Sequence, residues 1–198
     1  MGLTESVHGY LWNTESHENG SKVDYRRLGI EGELGVRLIS ACGDDVSMWE
    51  VEFEPIIEIH MLGWDGPSED DQGRRGLELI GTNCIHAGVV HCNEKKRCLL
   101  GEIPLDVPMT VWIDDVQVEK VKLTELEIEH IAGPVGTISW LLRTLEIENR
   151  GDEALLTSGA IVICSTPGDV YPVPPGTGVK VEFDGLSTTC TATIRHEK

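Results

Sequence analysis

Basic side chains are scarce. Only 16 Lys and Arg stand against 34 Asp and Glu, a formal net charge of −18. Such a field repels phosphate backbones and anionic membrane surfaces, and the basic residues cluster only at Arg26-Arg27, Arg74-Arg75 and Lys95-Lys96-Arg97, with no aromatics between them. Nucleic-acid binding is thereby set aside. No apolar run approaches membrane-spanning length, which excludes a helical span. Residues Met1 to Tyr10 carry no basic-then-apolar leader, so a cytoplasmic protein with reduced thiols is expected; the six cysteines include no CxxC pair. Also missing are a G-x-S-x-G elbow and a phosphate-binding glycine loop. Gly2 fits the loose myristoylation pattern only as many chains do, and Asn19-Gly20-Ser21, a sequon by pattern, reads as a tight turn.

What is present is an ordinary globular balance. The 198 residues are 40% hydrophobic, with 22 Gly and 9 Pro spread along the chain, which predicts one β-rich α+β domain with many turns and two or three helices. Ile30 to Ile39 alternates, with Ile30, Leu34, Val36 and Leu38 on one face and Glu31, Glu33 and Arg37 on the other. Asp44-Asp45 predicts a capped helix through Val46, Trp49 and Phe53 that Pro55 ends. Ile56 to Met61 then reads as a buried strand with Glu58 and His60 on one face. Gly63 to Gly76 reads as a mobile loop, a possible lid, and Asp114-Asp115 as the turn of a hairpin joining Met109–Ile113 to Val116–Leu123. A helix starts near Gly133-Pro134, with the stripe Val135, Ile138, Leu141, Leu142 and Leu145, and ends at Gly151. Ala154–Cys164, Val179–Phe183 and Thr188–Ile194 read as β, the last two preceded by the turn-rich Pro172–Gly178.

Glu31 and Glu33, two apart on a strand, project from one face and repel each other. A solvated strand face explains any such pair; a divalent cation site explains it too, because hard carboxylate oxygens suit Mg²⁺ or Mn²⁺ and a cation turns repulsion into attraction. Glu58 favours the cation, since a charge inside Ile56-Ile57-Glu58-Ile59 needs a partner. A rival zinc set, Cys84, His86, His91, Cys92 and Cys98, matches no common zinc spacing, and strand alternation through Ala87–Val90 would place His86 and His91 on opposite faces.

Several segments, in order, resemble one family: Gly2-Leu3-Thr4-Glu5-Ser6, Gly9-Tyr10-Leu11, Ile30-Glu31-Gly32-Glu33-Leu34, Pro55-Ile56-Ile57-Glu58-Ile59, Asn83-Cys84-Ile85-His86-Ala87-Gly88-Val89-Val90, Gly133-Pro134-Val135 with Trp140-Leu141, and Leu156-Thr157-Ser158-Gly159. The run is similar to the 2-keto-4-pentenoate hydratase/4-oxalocrotonate decarboxylase family, related to the fumarylacetoacetate hydrolase fold. The resemblance implies a mixed β-sheet roll, a homo-oligomer, one Mg²⁺ or Mn²⁺ on Glu31, Glu33 and Glu58, and a 2-keto acid substrate chelating that ion. Asn83, Thr157 and Ser158 would be substrate-binding residues.

The chain also departs from the family pattern. The lysine that precedes Gly-Leu-Thr has no counterpart before Met1, the aspartate of the Pro-Asp-aromatic-Gly segment is replaced within Ser6-Val7-His8-Gly9, and Gly133 stands where a histidine precedes the proline. The expectation is a single domain over 1–198 lacking the family's N-terminal helical region, with acid/base work falling to His8, His60 or His86, and Glu5 nearby. The leading reading is a hydratase of 2-hydroxypenta-2,4-dienoate-like acids with weak turnover. The alternatives are a 4-oxalocrotonate-like decarboxylase and a non-catalytic member that binds metal or assembles with a partner.

Overall fold

The computed structural model describes residues 9–24, 28–41, 43–61, 86–125, 133–148, 156–164 and 168–195. Two sheets carry the architecture. Sheet A contains β1 (Ser16–His17), β3 (Leu28–Ser40), β4 (Glu50–Met61), β5 (His86–Val90), β6 (Lys96–Leu99), β9 (Ile161–Cys164) and β10 (Tyr171–Val173), with the path β1-β5-β4-β3-β10. On the flanks of that path β6 pairs with β4 and β9 with β3. Sheet B runs β2-β12-β11-β7-β8, from Ser21–Asp24, Thr188–Arg195, Gly178–Phe183, Pro108–Ile113 and Val116–Lys122. The pairs β1–β5 and β2–β12 are parallel and the others antiparallel, so both sheets are mixed.

The centre of sheet A is the long β3–β4 pair, in which Glu31 opposes Glu58, Glu33 opposes Ile56 and Gly35 opposes Glu54. Because opposed residues share a face, the pair sorts its side chains cleanly. One face carries Ile30, Leu34, Val36, Leu38, Val51, Phe53, Ile57 and Ile59, all buried in the core against sheet B. Gly32 lies on that face: a Cβ there would stand 2.7 Å from Val111 Cγ2 and 3.1 Å from Met109 Cε, so the sheets approach most closely where the chain reads Glu31-Gly32-Glu33. The opposite face carries the acidic residues.

The helix expected from Asp45 is cut to a single 3₁₀ turn, Val46–Met48, capped by the Asp45 side chain on Ser47 N. β4 then runs straight through Pro55. Along that edge β6 pairs only as far as Phe53 and β5 begins at Ile57, so the proline falls between partners, a place in a sheet that tolerates a residue without an N–H. The other expectations of this kind fare better. The helix forms over Gly133–Glu148 (α1), the one α-helix among the described residues, and packs on β9. Asn19-Gly20 is a turn, with Gly20 at φ 76° and Asn19 Oδ1 accepting from Thr191 N and Oγ1. The stretch Pro172–Gly178 begins as strand rather than turn, because Tyr171–Val173 pairs with 28–30 of β3. Gly63–Gly76 and Gly151 lie outside the described residues. No described helix is long and apolar enough to cross a membrane.

The β7–β8 hairpin turns at Asp114 and Asp115, whose φ values of 47° and 63° are left-handed. A non-glycine residue there costs about 1 kcal/mol, and Asp114 recovers part of it by accepting the Gly178 N–H at 2.8 Å. Asp115→Gly is therefore expected to raise stability, by up to about 1 kcal/mol, read as a higher denaturant midpoint with unchanged slope.

Candidate metal centre

Glu31 and Glu58 face each other directly across β3–β4, an arrangement that destabilises a sheet unless a positive charge lies between them. His60, next on the same face of β4, supplies one: its Nε2 stands 3.1 Å from Glu31 Oε2 and 3.9 Å from Glu58 Oε2. The donor atoms of Glu31, Glu58 and His60 all lie within 4.8 Å of one another, the one such group of three among the described residues. Burial alone would lower the His60 pKa, but the Glu31 hydrogen bond and the charges of Glu58 and Glu31 outweigh it and raise it above 6.5. The His60 ring nitrogen thus occupies the place a cation would take. Two half-buried carboxylates and a buried imidazole, convergent, fit a divalent ion.

Glu33 projects from the same face of β3, opposite Ile56, and is buried. It does not join the group of three. Burial first, and then the Glu33 charge, push the neighbouring Cys164 thiol up.

His86 reaches the cluster from β5. Its Nδ1 lies 2.7 Å from Glu58 Oε1 while its Nε2 is buried, with no hydrogen-bond partner among the described residues and Glu15 Oε2 3.8 Å away. Strand alternation had placed His91 on the other face, and the structure corrects this. The register shifts between Ile59 and His60, so that His86 opposes His60 while Gly88 opposes Ile59, leaving Ala87 as an extra residue. His91 consequently turns to the same face as His86, where its Nδ1 lies 3.0 Å from Glu54 Oε1. Glu54 is a buried carboxylate that the sequence reading passed over, although it shares the parity of Glu58. Its other oxygen accepts the Cys92 N–H at 2.7 Å, with Lys95 Nζ at 3.6 Å, so its charge is compensated within the protein.

The zinc set does not assemble among the described residues. His86 and His91 turn to carboxylates, and Cys92 donates to the Glu94 and Thr189 carbonyls. Cys92, Cys98, Cys164 and Cys190 are free thiols. Thr157 and Ser158 are exposed and far from the cluster: Ser158 Oγ donates to Ile39 O, eight residues along β3 from Glu31, about 26 Å at a strand's rise. Glu5, His8, Asn83 and Cys84 lie outside the described residues.

No known family profile matches the sequence, and no curated protein does. Solved structures do match. A 4-oxalocrotonate decarboxylase from Pseudomonas putida G7, complexed with magnesium and adipate, superposes with a TM-score of 0.72 at 17% identity, over 94% of this chain and 68% of the other. The chain has the fumarylacetoacetate hydrolase-like fold. A maleylpyruvate hydrolase from Sphingobium sp. SYK-6, in complex with manganese(II) ion and pyruvate, shares this hydrolase-like fold at TM-score 0.57 and 14% identity, over 93% and 62% of the two chains. So does a 2-hydroxyhepta-2,4-diene-1,7-dioate isomerase from Mycobacterium marinum, at TM-score 0.56 and 14% identity, over 94% and 68%. The β-rich expectation with mixed sheets is met by this hydrolase-like fold, although the described residues hold fewer helices than expected.

Proposed function

We propose that this chain is a Mg²⁺- or Mn²⁺-dependent lyase acting on 2-keto acids, with hydration of 2-hydroxypenta-2,4-dienoate-like substrates as its leading reaction. The convergence of Glu31, Glu58 and His60 within 4.8 Å carries this reading. It is supported by the fold, whose representatives include enzymes crystallised with magnesium or manganese. Glu31 and Glu58 would hold the ion with Glu33 beside them, and His60 would yield its place or add a nitrogen donor. A bound cation would supply Lewis acidity toward the keto-acid oxygens.

The chain's own groups would move the protons. Glu58 accepts from His86 Nδ1–H, which fixes the tautomer and leaves Nε2 with its lone pair; Glu15 stands where it would stabilise the imidazolium once Nε2 takes a proton. A decarboxylase is the second reading, favoured by the TM-score of 0.72 to the oxalocrotonate enzyme. Assays of 2-hydroxypenta-2,4-dienoate and 4-oxalocrotonate with and without Mn²⁺ separate the two. Loss of a distal double bond without CO₂ release supports the hydratase, CO₂ release the decarboxylase, and no metal-dependent turnover of either would return the chain to a binding or assembly role.

Metal binding should also release the His60 proton. Below the raised His60 pKa the proton and the ion compete, so Mn²⁺ affinity is expected to fall with falling pH, by about tenfold per unit for one displaced proton. Calorimetry in buffers of different ionisation enthalpy measures the proton count directly; a pH-independent affinity would place the ion away from His60.

A further inference from the structure

Residues 9–12 lead through a single 3₁₀ turn, Asn13–Glu15, into β1, which pairs with β5. The Trp12 N–H donates to Glu15 Oε2 at 3.0 Å, and the same oxygen stands 3.8 Å from His86 Nε2. His86 in turn reaches Glu58 through Nδ1 at 2.7 Å. An unbroken chain of contacts therefore runs from Glu58 on β4, across His86 on β5, to Trp12 beside β1.

The Trp12 side chain is 62% exposed, the largest of the exposed apolar side chains among the described residues. Its ring leans on that of Tyr10, with centroids 6.5 Å apart and planes 33° from parallel. Two rings so placed hold each other in one arrangement and leave aromatic surface to the solvent, which is the form of a platform for a planar or apolar ligand.

Charge decides what such a platform can hold. Glu15, Glu31 and Glu58 line the way from the metal cluster to Trp12, and their ion-pair partners among the described residues are His60 and His86. The described basic side chains of sheet A stand elsewhere. Arg37 donates to Gly159 O at the far end of β3, Lys95 pairs with Glu54 and Arg97 with Glu50, and Lys96 lies opposite Phe53, on the other face. A second anionic group on a ligand would meet carboxylates on this flank, whereas an apolar tail would meet the rings. The reach is sufficient: neighbouring strands are about 4.8 Å apart and a four-carbon tail spans about 5 Å, so a ligand chelated between Glu31 and Glu58 and extended over β5 arrives at the flank that Trp12 borders.

We propose that Trp12, backed by Tyr10, forms a distal subsite of the candidate metal centre, and that the ligand it selects is a 2-keto or 2-hydroxydienoic monoacid with an apolar tail, not a diacid. This rests on the metal-dependent reading above. The C1 and C2 oxygens face the cation, the tail passes His86 and lies on the Trp12 ring, and the Glu15 carboxylate repels a terminal carboxylate. Of the two substrates considered above, 2-hydroxypenta-2,4-dienoate is such a monoacid, and 4-oxalocrotonate carries the second carboxylate.

Calorimetry of the Mn²⁺-loaded protein with pyruvate, 2-ketohexanoate and 2-ketoadipate tests this, because the last two have the same length and differ by a terminal carboxylate. 2-Ketohexanoate is expected to bind more tightly than pyruvate, by about fourfold for each methylene that the ring covers. 2-Ketoadipate is expected to bind at least about tenfold more weakly than 2-ketohexanoate. Trp12→Ala should bring 2-ketohexanoate down to the level of pyruvate while the affinities for pyruvate and Mn²⁺ stay unchanged, a split that a merely structural role would not give, and Trp12→Phe should recover part of the difference. Glu15→Gln, which keeps an acceptor for the Trp12 N–H, should narrow the gap between monoacid and diacid. A tighter 2-ketoadipate complex, or a Trp12→Ala variant that shifts pyruvate and 2-ketohexanoate alike or shifts neither, overturns the subsite and leaves the metal-dependent reading standing. A protein that takes up no Mn²⁺, or that binds none of the three acids once loaded, overturns that reading and the subsite with it.

Discussion

Glu58→Gln is expected to weaken Mn²⁺ binding by at least about 100-fold and to remove metal-dependent turnover. Loss of an outer partner of a ligand typically costs 10- to 100-fold in affinity, and loss of a direct ligand costs no less. Glu58 has the larger share of the site's connections: it opposes Glu31, lies 3.9 Å from His60 Nε2, and holds His86 Nδ1 at 2.7 Å. The amide keeps the volume and one acceptor for His86, so the fold should survive and titration calorimetry should report the ion alone. Glu33→Gln, measured alongside, decides the ligand set. A loss as large as that of Glu58→Gln makes Glu33 a third carboxylate ligand, whereas near-wild-type affinity leaves the ion to Glu31, Glu58 and His60.

Gly32→Val is expected to destabilise the fold by about 1–3 kcal/mol, the usual cost of inserting methyl groups into a packed core. The added Cβ alone would come within 2.7 Å of Val111 Cγ2 and 3.3 Å of Val181 Cγ1, both fully buried, so the sheets must part or β3 must shift. Either movement displaces Glu31 and Glu33, which flank residue 32. Stability and Mn²⁺ affinity should therefore fall together, in contrast to Asp115→Gly at the distant hairpin, which should change stability alone. Thermal unfolding of the metal-free protein and calorimetry of the folded fraction separate the two effects. A stable Gly32→Val protein would mean that the sheets are not in contact at this point.

The part of the fold that rests on strand alternation was legible in the chain. Ile30 to Ile39 gave its two faces correctly because every second residue is large and apolar or charged, and Glu58 with His60 could be placed on one face for the same reason. Pairing partners were not legible. Nothing local states that Glu31 opposes Glu58, and that opposition is what makes His60 the neighbour of both. Two local rules failed where tertiary pairing overrode them. Pro55 reads as the end of a helix, yet it sits in a gap between two edge strands; and the extra residue at Ala87 reverses the faces of the strand residues after it, turning His91 to the face of His86. Ser158 belongs to the Leu156-Thr157-Ser158-Gly159 segment, but its hydroxyl donates to Ile39 O at the far end of β3.

Crystals of the protein grown with Mn²⁺ and oxalate, a stable mimic of the two chelating oxygens of a 2-keto acid, measured at the manganese absorption edge, test the central claim most directly. One anomalous peak per chain is expected between Glu31 and Glu58, with both carboxylates as ligands, His60 Nε2 displaced from Glu31 or joined to the ion, and oxalate completing the coordination. An empty cluster at saturating Mn²⁺, with Glu31 still bonded to His60, would contradict it.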